Sequence, residues 1–109
     1  MTLKEIIKDA NEVLGLPIDW DNHESDENYK QLFACARLVL NTLTGVWNVT
    51  DNHEILESDT GVSNATLVYG ILTEYAFVAG MLNEWKIWKE KYGDGIFGAK
   101  HGKSRTIKI

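Results

Sequence analysis

The stretch SNATLVYGILTEYAFVAGMLNEWKIWKEKY, Ser63–Tyr92, decides how this chain is read. Its apolar residues Leu67, Val68, Ile71, Leu72, Tyr75, Ala76, Val78, Ala79, Leu82, Trp85 and Trp88 recur at helical spacing, and Pro is absent. The pattern predicts one continuous helix, which thirty residues would extend to about 45 Å. Between Val68 and Ala79 the apolar positions cover more than one stripe, the signature of a buried hub. Gly70 and Gly80 each weaken a helix by about 1 kcal/mol, so both are expected to serve close approach of another backbone. Tyr69, Gly70, Ile71, Leu72, Tyr75 and Gly80 are therefore the expected packing residues. Past Trp85 the segment turns polar, with Trp88 and Tyr92 set among Lys86, Lys89, Glu90 and Lys91.

The flanking sequence divides readily. Thr2 and Glu5 form the S/T-x-x-E pattern of a capping box, Leu3, Ile6, Ile7, Ala10, Val13 and Leu14 make one stripe, and Gly15 and Pro17 end it. After an acidic link at 18–25, Ser25 or Asp26 is expected to cap a second helix running to about Leu43, with Gly45 as its stop. Residues 46–62 read as irregular or as a short β-pair, because Val46-Trp47-Asn48-Val49-Thr50 is β-branched and aromatic and Asp51-Asn52 suits a turn. Gly93, Gly95 and Gly98 are expected to make a joint around Ile96 and Phe97. The alternation in Ser104-Arg105-Thr106-Ile107-Lys108-Ile109 predicts a terminal extended strand. The expected fold is thus mainly all-α: three principal helices, a short irregular or β middle segment and a C-terminal strand. Residues 1–99 form the domain and 100–109 a basic tail.

Composition narrows the function classes. At 109 residues there is one core, and no apolar run is long enough to span a bilayer. The acidic start lacks the apolar segment of a secretion signal, and the single cysteine fits a reducing compartment. Cys35, set among Phe, Ala and Leu, reads as a small core hydrophobe. The net charge of −5 is unevenly spread. Residues 1–62 hold four Lys/Arg against twelve Asp/Glu, while residues 63–109 hold seven against four. Such asymmetry favours contact between the acidic part of one copy and the basic part of another.

Catalytic patterns are weak. His23, His53 and His101 lie apart at no metal-ligand spacing, so neither a metal nor a cofactor is expected. The acidic run from Asp19 to Glu27 lacks the central glycine and in-register glutamate of a calcium loop. Gly93-x-Gly95-x-x-Gly98 follows a helix, whereas a dinucleotide-binding turn follows a strand. Glu74 and Glu84 fall on different helix faces. The chain is accordingly expected not to be an enzyme.

Three segments resemble the small head–tail connector, or adaptor, proteins of bacteriophages and prophages: residues 1–10, residues 32–41, and above all Tyr69–Met81 followed by Glu84, Trp88, Lys91 and Tyr92. That resemblance implies a structural subunit that oligomerises as a ring beneath the portal, extends the DNA channel and receives the next connector or stopper ring. It places the protein at the virion head–tail junction after synthesis in the bacterial host cytoplasm, with genome DNA passing through without sequence recognition. By the same resemblance Tyr69, Gly70, Glu74, Tyr75 and Gly80 match the central helix and Lys100–Ile109 the docking tail. The expected oligomer or portal interface comprises Trp88, Tyr92, Phe97, Lys100, Lys103, Arg105, Ile107, Lys108 and Ile109. The middle region is shorter than the β-rich insertion expected of that family. The alternative is a small helical nucleic-acid-binding or regulatory protein of prophage origin, suggested by the interleaved lysines and aromatics.

Overall fold

The computed structural model describes residues 1–107, with side chains through Ala99. The elements are α1 (Leu3–Leu14), a 3-10 segment (Trp20–Ser25), α2 (Glu27–Thr44), α3 (Glu57–Thr60), α4 (Asn64–Val78) and α5 (Leu82–Ile107).

Local chemistry sets the first two helices. The Thr2 hydroxyl accepts the Glu5 N–H while the Glu5 carboxylate accepts the Thr2 N–H, closing the expected capping box. Gly15, at φ 69°, ends α1 in the left-handed conformation. Asn11 then holds the exit through two 3.0 Å hydrogen bonds with the backbone of Leu16. Asp26 caps α2 by accepting the Tyr29 N–H, and its other oxygen accepts the Asp19 N–H. Those two backbone donors, Asp19 first, hold the Asp26 carboxyl below its ordinary range.

The single long helix expected over 63–92 is instead two helices joined by a tight turn. Gly80 adopts φ 72°, the Met81 N–H donates to the Ala76 carbonyl at 2.8 Å, and the Gly80 N–H donates to Phe77. This paired 6→1 and 5→2 closure is a Schellman stop. Gly80 is therefore a turn residue rather than a packing site: a Cβ there would meet nothing within 4 Å. Chain reversal lays α5 antiparallel on α4, with Phe77 beside Trp85, Gly70 against Tyr92 and Thr66 against Gly95. By that register α5 passes the start of α4 near residue 98 and continues beyond it.

Two further expectations fail for related reasons. Gly93, Gly95 and Gly98 do not break the chain, because they lie within α5. A Cβ on Gly95 would run into the Thr66 side chain, so close helix contact outweighs the poor intrinsic propensity. Nor is there a terminal strand: α5 stays helical through Ile107, across the boundary expected at 99/100, while Lys108 and Ile109 lie outside the described residues. Alternation over six residues competes there with a helix already nucleated upstream, and extending a helix is easier than starting a new element.

No β-strand occurs among the described residues. The middle segment forms one antiparallel bridge, Thr2 with Glu54. His53 and Asp51 carbonyls accept the Leu3 and Lys4 N–H groups, each at 2.9 Å, and the Ile55 N–H donates to Met1. A hairpin of 46–57 alone would have left the opening donors of α1 without partners; pairing with residues 1–4 satisfies both.

α4 is the hub, packing on α1, α2 and α5. Leu3, Ile6, Ile7, Leu32, Leu67, Ile71 and Leu72 are fully buried around it. A Cβ on Gly70 would lie 2.8 Å from Tyr92 Cε1 and 3.0 Å from Val39 Cγ1, so this glycine lets α2 and α5 close onto α4.

Candidate assembly surfaces

The expected packing residues separate. Gly70, Ile71 and Leu72 are buried, and Tyr69 and Tyr75 are half-buried against the core. Gly80 stands apart in the exposed turn.

The expected interface residues separate as well. Trp88 and Tyr92 are half-buried and pack on the core of their own chain. Trp88 stacks on Tyr69 with centroids 5.9 Å apart, and the Lys91 ammonium lies 5.8 Å from the Tyr69 ring. Burial, with a smaller contribution from Glu74, pushes the Tyr92 hydroxyl above its ordinary pKa. Phe97 is exposed on α5. Lys100, Lys103, Arg105 and Ile107 lie in the helical extension of α5, and Lys108 and Ile109 fall outside the described residues.

Sequence reasoning missed the apolar tip of the α4–α5 hairpin. Phe77, Val78 and Leu82 are 65%, 61% and 64% exposed around the turn. Trp85 packs beside Phe77 at 6.3 Å, with Lys89 4.6 Å from its ring. Their apolar spacing carried no mark of exposure, because the turn at Gly80 moves them from a helix face to a helix end.

A second surface lies between the end of α2, the 46–56 segment and α3. It is a cleft of about 370 Å³ with Leu40, Val46, Val49, Ile55 and Leu56 as its apolar lining and Thr44 and Thr60 beside them. His53, Glu54 and Asp59 complete it. Glu54 also receives the Met1 ammonium at 3.0 Å. Nearby, Arg37 lies over the exposed Trp47 ring at 4.4 Å.

The strongest polar grouping is His23 with Asp51, joined at 2.6 Å and both largely covered. The Tyr29 hydroxyl donates to the same Asp51 oxygen at 3.5 Å, and His23 meets the Tyr29 ring edge-on at 4.7 Å. Burial, then the Asp51 charge, raises the Tyr29 pKa. Because the Asp51 carbonyl also accepts the Lys4 N–H, this cluster ties the 3-10 segment, α2 and α1 together. By bridging these elements through one carboxylate, the arrangement works as a structural latch. Twenty-eight residues separate the pair, and no sequence motif joins them.

Cys35 is buried, and burial, followed by Glu74, pushes its thiol up to about 11, opposite to the shift that activates a cysteine. Among the described residues, no three His, Cys, Asp or Glu side chains converge as metal ligands, and no helix is long and apolar enough to cross a membrane. No family model, curated protein or solved structure matches the chain.

Proposed function

We propose that this chain is a structural assembly subunit, and specifically a phage-type head–tail connector that forms a ring beneath a portal. One observation carries the reading: the α4–α5 hairpin buries one side in the domain while offering Phe77, Val78 and Leu82 at its exposed tip. Large apolar side chains grouped at an exposed turn suit contact with another protein. The hairpin also extends α5 beyond the start of α4, so its helical residues 100–107 run on past the domain. The ring, the portal and the channel through which genome DNA passes all come from the resemblance of residues 1–10, 32–41 and 69–92 to connector proteins.

The test is whether a portal gene neighbours this chain's gene, followed by reconstitution with that portal observed by electron microscopy. A ring of this protein on the portal is the expected result. The paired substitution Phe77→Ser and Leu82→Ser should leave the circular dichroism spectrum unchanged and reduce ring recovery, and deletion of 100–109 should weaken assembly or docking. A portal that stays bare with the wild-type protein would sink the connector reading.

A further inference from the structure

We infer that the cleft between α2, the 46–56 segment and α3 receives the basic end of α5 from a second copy of this chain. The inference rests on the assembly reading and names the contact between neighbouring subunits. Two features define the cleft. Half of its lining is apolar, including the exposed Val46 and Leu56, and its charged lining residues are the acids Glu54 and Asp59, beside Thr44, His53 and Thr60. Glu54 is engaged by the Met1 ammonium, but Asp59 and the adjacent Glu57 are exposed on α3. No Lys or Arg is among the described lining residues. At about 370 Å³ the cleft is at the small end of binding pockets, sized for one or two side-chain anchors rather than a whole helix.

The matching chemistry is in the chain itself. Residues 100–109 carry Lys100, Lys103, Arg105 and Lys108 with no Asp or Glu, and they include Ile107 and Ile109. Cations beside branched apolar side chains complement a cleft whose lining is half apolar and whose charged residues are acids. The donor must be another molecule. α5 packs along α4, and residues 100–107 continue its unbroken helix along the same axis rather than back over α2 and α3. Tail and cleft are different surfaces, so the contact is heterologous and repeats from copy to copy, closing into a ring when the rotation permits.

Complementation between two full-length variants tests this. Asp59→Lys spoils the cleft and keeps the tail; the pair Lys103→Glu with Arg105→Glu spoils the tail and keeps the cleft. Sedimentation velocity at low salt should show self-association of the wild type, weakened about tenfold or more in each variant alone. Mixing the two variants should restore a heterodimer, because one supplies an intact tail and the other an intact cleft. Matching circular dichroism and melting curves establish that both variants fold. Failure of the mixture to associate, or a wild type that stays monomeric across the concentration range, overturns the inference. The connector reading is judged separately by the portal reconstitution, which can succeed with tails that bind the portal alone.

Discussion

α4 and α5 are consecutive pieces of what looks in sequence like one helix, yet they do opposite work. α4 is apolar nearly all round and touches α1, α2 and α5. Up to Ala99, α5 sets one face on α4, through Trp88, Tyr92 and Ile96, and leaves most of its other positions exposed. The contrast extends to their glycines: Gly70 is a contact, whereas Gly80 is a conformation. Identical residues ten positions apart therefore answer to different physics, sterics in one case and backbone dihedrals in the other.

The largest expected effect is at Gly70. Gly70→Val should cost about 3 kcal/mol, because overpacking forces Tyr92 and Val39 out of contact at the centre of the hub. Urea unfolding followed by tryptophan fluorescence measures this. A cost no larger than that of Gly80→Ala would break the distinction between the two sites.

Gly95 should respond next. Gly95→Ala brings a methyl group against Thr66, where the Thr66 Cγ2 would stand at 2.7 Å, and should cost about 2 kcal/mol. Thr66→Ala removes the obstructing atoms together with the hydroxyl contact to Ser63. The two changes should be non-additive in a double-mutant cycle, with the pair more stable than the sum of the singles predicts. Simple additivity would mean that α4 and α5 do not meet at this point.

His23→Ala should cost about 1 kcal/mol by removing a hydrogen bond to Asp51 in the latch. His23→Ala should also speed hydrogen exchange at the Leu3 and Lys4 amides, whose acceptors lie on the 51–53 segment. Unchanged exchange there would separate the latch from the start of α1.

How much of this was legible beforehand depended on how local the cause is. Thr2 with Glu5, Asp26, Gly15 and Gly45 mark the limits of α1 and α2 because capping joins side chains to backbone a few residues away. The burial of Ile71 and Leu72 was legible for a similar reason, being written in a dense apolar period. The stop at Gly80 was not, since its neighbours Ala79 and Met81 are good helix formers and Gly70 continues the helix through the same residue type. Gly95 could be recognised as helical only once Thr66 stood opposite it. The middle segment likewise takes its hydrogen-bond partners from residues 1–4, about fifty positions away. The apolar tip and the acidic cleft arise from the same long-range folding.

Alkali should sharpen the account of the hub by a smaller amount. The Cys35 thiol, ordinarily at 9.0, is raised to about 11, and Tyr92 shifts upward as well; burial leads in each case and Glu74 follows. A raised pKa on an acid that is neutral when protonated means that the unfolded chain loses its proton first. The stabilisation is fully present below about pH 9 and is lost as pH rises toward 11. Cys35→Ala should flatten part of that decline in melting temperature. A wild type and variant with parallel pH profiles would show that the thiol has no special burial in the hub.

The turn should respond about as weakly as the latch, with Gly80→Ala costing about 1 kcal/mol. The strain is conformational, since φ 72° is unfavourable for a residue with a Cβ although nothing stands within 4 Å of the added atom. Side-chain size should consequently matter little: Gly80→Leu should resemble Gly80→Ala, whereas at Gly70 the larger residue should be far worse. Asn tolerates the left-handed region, so Gly80→Asn should recover much of the loss. A steep rise from Ala to Leu at Gly80 would reveal crowding at the hairpin tip and return this glycine to a packing role.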